Sequence, residues 1–275
     1  MIEKSFAKIN LGLSVFEQRE DSFHNIDTIF LEIDFYDTIE IVPSDKFLIT
    51  TNNANIPKES NIITRVYSFY KNNFDNIVDD YHITINKKIP IGGGLGGGSS
   101  NAACILKVLN KLWNLGLDKK ELETIAINFG ADVPFFIDGG CQRGRGVGEQ
   151  LEPINMDFLK GKGIALITPN ISISTPWAYG EIKKTLQVSD KDNNLHAPQT
   201  IEELELFEND FEKVVLSAYP EIGKIKALLI SSGAYFASLS GSGSTVYGIY
   251  DEESTLDSFL EGSFIYPTVK SFLKK

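Results

Sequence analysis

The segment with the most chemistry in it is Pro90-Ile91-Gly92-Gly93-Gly94-Leu95-Gly96-Gly97-Gly98-Ser99-Ser100. Leu95 alone interrupts its six glycines. Glycine costs backbone entropy, so a dense run belongs where φ is positive or where another group must approach the main chain. The run leads straight into Ala102, Ile105, Leu106, Leu109 and Leu112 at helical spacing, so a helix starts here with Ser99 or Ser100 as its cap. The first-turn N–H groups of such a helix point at whatever stands before it, and a phosphate fits that position. A flexible linker would not sit between a strand and a strongly periodic helix. Gly98 is followed by Ser99, and the first downstream lysine is Lys107, which excludes a Walker loop. Gly92, Gly94 and Gly97 match the dinucleotide-binding spacing formally. The next element, however, is another helix beginning near Asp118, not a strand ending in an acidic residue, so the match is accidental.

Other residues carry chemistry only in company. Ala7-Lys8-Ile9-Asn10-Leu11 puts a lysine and an asparagine on one face of a strand, and by itself reads as a solvated face. Asp132, in Gly130-Ala131-Asp132-Val133-Pro134-Phe135-Phe136, is either a cap or turn residue or a poised carboxylate in an apolar run. A lone histidine such as His24 is more often structural than catalytic. Ser240-Gly241-Ser242-Gly243-Ser244, between two short strands, is either an ordinary hairpin turn or a second phosphate-contacting nest.

The elements that must position these groups are of mixed type. The first 50 or so residues read as strands, with Ile26 to Val42 rich in β-branched and aromatic residues. Helices are expected over Asn61–Phe74, from the glycine run to Leu112, and over Lys119–Phe129. Further helices are expected near Trp177–Leu186, over Ile201–Ala218 and over Glu221–Ile230. Short strands are expected at Tyr81–Ile85, Ile164–Thr168, Tyr235–Ser240 and Thr245–Tyr250, and a solvated loop at Val188–Pro198. Strands cluster early and helices do not alternate strictly with them, so the fold class is α+β. A composition shift near Glu152-Pro153 suggests subdomains of residues 1–153 and 154–275.

Composition narrows the function classes. Lys and Arg number 26 against 37 Asp and Glu, a net charge of −11, and no Lys/Arg run exceeds two residues, which argues against a nucleic-acid binder. An anionic ligand would need local devices such as a helix N-terminus, one or two cations or a metal ion. No apolar stretch approaches a membrane span and the first residues do not read as a secretory signal, so no membrane association and a cytoplasmic setting are expected. Two cysteines, Cys104 and Cys141, make neither a disulfide framework nor a four-thiolate metal site. Nothing in the sequence sets an oligomeric state.

Taken together, Ala-Lys8-Ile-Asn10-Leu, the glycine run continuing into Asn-Ala-Ala, and the late Ser-Gly-Ser-Gly-Ser resemble the GHMP small-molecule kinases. Arg19-x-Asp21-x-Phe23-His24, Gly-Ala-Asp132-Val-Pro-Phe and Gly146-Val-Gly-Glu149 are similar to the branch of that family acting on a cytidine-diphosphate sugar alcohol in the non-mevalonate isoprenoid pathway. The resemblance spans residues 4 to about 250. It implies a two-subdomain fold with ATP and substrate in the cleft between the halves, and transfer of the ATP γ-phosphoryl group to a tertiary hydroxyl of the methylerythritol moiety. Lys8 and Asp132 would be the catalytic pair. Pro90, Ile91, Gly92, Gly93, Gly94, Leu95, Gly96, Gly97, Gly98, Ser99 and Ser100 would form the ATP phosphate loop, with Mg²⁺ helped by Ser99 or Ser100 and no protein cage for the metal. Asn61 and Ile62 would border the adenine. His24 would read the cytosine edge, Phe23 and Tyr179 would sandwich the ring, and Asn10 and Thr175 would lie near the methylerythritol hydroxyls. Phe23 stands where this branch often has tyrosine. Homoserine or mevalonate kinase, a non-catalytic nucleotide-binding module and a dinucleotide-dependent oxidoreductase are the rival readings.

Overall fold

The computed structural model describes residues 1–53, 61–75, 77–185, 196–262 and 265–274. The chain packs as two compact units, each assembled from several stretches. One holds Met1–Ala7, Phe35–Ile91 and Gly96–Gly139; the other holds Lys8–Asp34, Gly92–Leu95 and Gly140–Lys275. Strands β1 (Ile2–Gln18) and β2 (His24–Ser44) pair with each other and contribute to both units. The units therefore interleave along the chain and do not coincide with a linear division at residue 153.

The first unit is completed by β3 (Leu48–Thr51), α1 (Ile62–Asn73), β4 (Asp80–Asn86), α2 (Gly97–Leu112), α3 (Lys119–Ala126) and α4 (Phe135–Asp138). Thr38–Ser44 of β2 pairs antiparallel with β4, and β3 pairs parallel with β4. α1 is amphipathic and buries Ile63, Val66, Tyr67 and Tyr70, the last donating its hydroxyl to the Leu106 carbonyl of α2 at 2.9 Å. α3 opens with a reciprocal capping box between Asp118 and Glu121.

In the second unit, Thr28–Leu31 of β2 pairs antiparallel with β5 (Cys141–Arg145), which pairs with β6 (Gln150–Pro153). A four-stranded antiparallel sheet follows, built from β7 (Gly163–Ile167), β8 (Phe236–Leu239), β9 (Val246–Tyr250) and β10 (Thr268–Phe272) in the order β10-β7-β9-β8. Against it pack α5 (Thr175–Thr185), α6 (Glu212–Ala218), α7 (Pro220–Ser231) and α8 (Glu253–Leu260), and the core gathers Leu13, Val15, Phe211, Ile222, Leu229 and Tyr250 among others. Mixed helices and sheets make the fold α+β, as expected from the sequence.

Most expected elements form within a residue or two of their limits. The helix expected over Ile201–Ala218 is broken into a 3-10 turn at Glu202–Leu206 and α6. Tertiary pairing overrides helix propensity here. Leu13 N–H donates to the Glu208 carbonyl, Asp210 N–H donates to the Leu13 carbonyl, and Val15 N–H donates to Asp210 Oδ2. Asn209 thus forms an isolated parallel bridge with Leu13 of β1, and residues 210 and 211 turn into α6. Most of the loop expected at Val188–Pro198 lies outside the described residues. No helix among the described residues is long and apolar enough to cross a membrane.

Candidate active site

From Ala7 to Leu13 every residue of β1 is buried. A strand covered on both faces normally reads as a continuous apolar run. Here Lys8 and Asn10 fall within it, 3% and 2% exposed, so the reading of a solvated face is overturned. Buried polar groups must be paired. Lys8 Nζ donates to Asn10 Oδ1 at 2.6 Å, and Asn10 Nδ2 donates to Thr28 Oγ1 at 3.0 Å. The Thr28 hydroxyl donates to the Gly12 carbonyl at 2.5 Å, and the Tyr247 hydroxyl donates to the Asn10 carbonyl at 2.8 Å. The Lys8 ammonium also stands 5.5 Å from the centroid of Phe30. A cavity of about 320 Å³ in the same unit has Gly12, Phe16, Asp27, Thr28 and Arg143 in its wall.

The glycine run is held from both sides. In the second unit, Lys8 N–H donates to the Leu95 carbonyl at 3.0 Å, and Thr245 N–H donates to the Gly93 carbonyl at 3.2 Å. Ser240 Oγ donates to the Gly94 carbonyl at 2.9 Å. Gly94 has φ +78°, and a Cβ there would lie 2.0 Å from the Ser240 carbonyl oxygen, so only glycine fits. The late serine–glycine turn is therefore a buttress for the loop as well as a hairpin. Within it Gly241 lies beside Asn10, Ser242 Oγ meets Thr175 Oγ1 at 2.9 Å, and the N–H of Gly243 donates to the Ser240 carbonyl. Asn209 Nδ2 pins the turn through the carbonyls of Leu239 and Gly241.

In the first unit, α2 begins one turn earlier than its serines imply. The cap is Gly96, in the left-handed region at φ 68°, and no side chain caps the helix. Ser99 and Ser100 lie inside the first turn, and neither is the cap. The first-turn N–H groups of Gly97, Gly98 and Ser99 face forward with the positive end of a four-turn helix, the geometry that suits an anion. A Cβ added at Gly98 would meet nothing within 4 Å. Ser100 Oγ is joined to Ser5 Oγ at 2.7 Å and is buried, whereas Ser99 is half-buried.

Beneath this turn lies a polar cluster that the sequence did not announce. Asp37, with a fully buried side chain, is ion-paired to Lys87. It accepts from Asn101 Nδ2 at 3.0 Å and from the N–H groups of Lys88 and Ile89 at 2.7 and 2.9 Å. Lys87 Nζ also donates to Asn101 Oδ1 at 3.1 Å. The cluster locks the approach to the glycine run onto β2 and α2. Its trace in the sequence is Asn101, a polar residue among the apolar positions of α2.

Asp132 sits half-buried in the turn between the 3-10 turn after α3 and α4. No side chain caps α4, and Asp132 is one of the turn residues that precede it. Asp132 belongs to the first unit and Lys8 to the second. Asn61 caps α1, accepting from Ile63 N–H at 2.9 Å, and is buried, with Ile62 half-buried beside it. His24 is buried and Nδ1 donates to the Phe16 carbonyl at 2.7 Å. Its ring stacks on Tyr179 with centroids 5.3 Å apart and planes 21° apart. Phe23 is 60% exposed. A second cavity, about 520 Å³, is lined by Phe16, Asn25, Ile26, Asp27, Arg145 and Gly146.

The GHMP kinase N-terminal domain matches residues 61–140, and the GHMP kinase C-terminal domain matches residues 194–262. The 4-diphosphocytidyl-2-C-methyl-D-erythritol kinase of Chlorobium phaeovibrioides is 38% identical over 91% of this chain and 88% of its own length. The protein of that name from Parabacteroides distasonis is 38% identical over 90% of each chain. The chain belongs to the GHMP kinase family. A crystal structure of 4-(cytidine 5'-diphospho)-2C-methyl-D-erythritol kinase superposes with TM-score 0.80 and 27% identity, covering 100% of both chains. A mevalonate kinase shares the fold at TM-score 0.66 and 17% identity. In this GHMP kinase the matched N-terminal stretch contains the whole glycine run and Asp132, while Lys8, Asn10 and His24 lie ahead of it.

Proposed function

We propose that this GHMP kinase transfers the γ-phosphoryl group of ATP to the 2-hydroxyl of 4-diphosphocytidyl-2-C-methyl-D-erythritol, a step of the non-mevalonate (MEP) route to isoprenoid precursors, in the cytoplasm. The observation that carries the reading is the glycine run, fixed to β1 by Lys8 N–H and opening α2 with uncapped N–H groups. Likeness to kinases bearing that substrate in their names supports the acceptor.

Phosphoryl transfer asks the protein for positioning and charge stabilisation more than for covalent chemistry. Pro90 to Ser100 holds the ATP phosphates, with Asn61 and Ile62 at the adenine side. Mg²⁺ commonly keeps several waters and takes one or two protein oxygens beside the phosphates. The half-buried Ser99 hydroxyl suits that part better than Ser100, which is tied to Ser5. No cluster of three metal-ligating side chains stands among the described residues. Bound there, the ion would neutralise phosphate oxygens. Asp132 orients the attacking hydroxyl and accepts its proton. Lys8 places its ammonium against developing negative charge, and Asn10 and Thr175 bind acceptor hydroxyls. The net charge of −11 is no obstacle, because these positive devices are local.

The cytosine would lie with Phe23, His24 and Tyr179. A carbonyl oxygen only accepts, so the contact to Phe16 places the His24 proton on Nδ1. With the proton there, Nε2 is the ring nitrogen left to face the exocyclic amine of cytosine. A site built on a specific hydrogen bond rejects ligands that leave it unpaired. His24→Ala should therefore raise the KM for the cytidine substrate at least tenfold and that for ATP less than threefold, while Phe23→Tyr is tolerated. Paired substrate titrations check this. Weakened ATP with an unchanged cytidine KM would assign the pocket to the wrong ligand.

A further inference from the structure

We infer that Thr28 is a positioning residue that sets the direction of the Asn10 amide and, through it, the place of the Lys8 ammonium. The inference rests on the reading of Lys8 as a catalytic group. Thr28 is 3% exposed on β2, and Asn10 is 2% exposed on β1. A hydroxyl has a single hydrogen to give, and a carbonyl oxygen has none. At 2.5 Å from the Gly12 carbonyl, the Thr28 hydroxyl spends its hydrogen there. Toward Asn10, 3.0 Å away, it presents only lone pairs. It must receive an N–H, so Nδ2 of the amide faces Thr28.

The other end of the amide is then fixed. Oδ1 faces the Lys8 ammonium at 2.6 Å, and the ammonium is a donor on all three hydrogens. The reversed amide would set a carbonyl oxygen against the lone pairs of Thr28, with no hydrogen between them, and an NH₂ group against the ammonium, with no acceptor. The direction of the whole relay thus originates in the main chain at Gly12. That carbonyl is held in turn: Gly12 has φ +63°, and a Cβ there would lie 3.1 Å from Cβ of Phe207. The main chain of Asn10 is anchored by the Tyr247 hydroxyl. Every group in the relay belongs to the second unit.

Valine copies the shape of threonine and lacks the hydroxyl. In Thr28→Val the amide is deprived of its directional partner, and Lys8 of a fixed acceptor. Turnover should fall 10- to 100-fold with the ATP KM changed less than threefold, because Lys8 acts on charge developing during transfer. Thr28→Ser keeps the hydroxyl and should return turnover to within threefold of the wild type. Thr28→Ala, which cannot crowd the site, should match Thr28→Val. In a crystal structure of Thr28→Val, the Lys8 ammonium should stand beyond hydrogen-bond distance of Asn10 Oδ1. This arm needs no turnover, so it decides the placement of Lys8 even if the wild-type protein failed to phosphorylate the cytidine substrate. The inference is overturned if Thr28→Val and Thr28→Ala turn over within twofold of the wild type. It is also overturned if Thr28→Ser is impaired as severely as they are, or if Lys8 Nζ still lies at hydrogen-bond distance from Asn10 Oδ1 in the Thr28→Val crystal.

Discussion

A lysine ammonium 3% exposed inside a strand is costly unless its donors are met, and here an amide oxygen meets one of them at 2.6 Å. The pentapeptide by itself read as a solvated face, and only the resemblance to the kinase family pointed to this position. Alternation along five residues could not, because the second face of β1 is covered by segments distant in sequence, including residues 207–211. Thr28 and Tyr247 were illegible for the same reason: nothing near them in the chain distinguishes them from ordinary strand residues. Asp132 was legible only as two alternatives, a cap or turn residue and a poised carboxylate, and it lies in the turn before α4. Under the proposed function its carboxylate orients the acceptor hydroxyl. Asp132→Asn should therefore lower turnover by about 10²- to 10⁴-fold, the usual range for a positioned acid–base group, with ATP affinity nearly intact. Steady-state kinetics with both substrates varied checks this, and near-normal turnover would remove Asp132 from the mechanism.

At the scale of elements, the glycine run and α2 were the most legible part of the chain. A run of glycines followed by strong helical periodicity admits few structures. The sequence misplaced the cap by three residues or more, because Gly96 in the left-handed region ends the turn without any side chain. It also missed what holds the run in place, since Ser240 and Thr245 are remote from it along the chain. Gly94 and Gly98 separate the two uses of glycine. A side chain at Gly94 would collide with the Ser240 carbonyl, whereas one at Gly98 meets no protein atom within 4 Å. Gly94→Ala should weaken ATP binding at least 100-fold by calorimetry, and Gly98→Ala should leave the melting temperature within about 2 °C of the wild type, as expected of a substitution that creates no protein clash. Unchanged ATP affinity in a well-folded Gly94→Ala protein would separate the loop from the phosphate site.

At the scale of the whole molecule, the fold class was readable and the packing units were not. Composition shifts follow the chain, whereas β1 and β2 carry it from one unit to the other and back. One property belongs to the molecule as a whole. Burial pushes the Cys104 thiol up to about 12, and burial with the nearby Glu32 and Asp157 carboxylates pushes Cys141 up to about 11. Burial likewise raises the phenols of Tyr67, Tyr70 and Tyr247. In the unfolded chain a thiol titrates near about 8.5 and a phenol near about 10. These groups hold their protons longer when folded. Their contribution is full below the unfolded values and is lost as pH rises through the folded ones. The melting temperature should therefore decline steadily between about pH 8.5 and about pH 11, and a flat profile over that window would contradict the burial of these groups.

What sets this kinase apart from its relatives of the same fold is the acceptor it phosphorylates under the proposed function. ADP release from the purified protein with Mg²⁺ and ATP, measured in parallel with 4-diphosphocytidyl-2-C-methyl-D-erythritol, homoserine and mevalonate, tests it most directly. The predicted result is turnover with the cytidine alcohol, at least 100-fold above the other two in kcat/KM, with one new phosphomonoester on the 2-oxygen by ³¹P NMR. Preferential turnover of homoserine or mevalonate, or none with the cytidine alcohol in a protein that binds ATP, would contradict it.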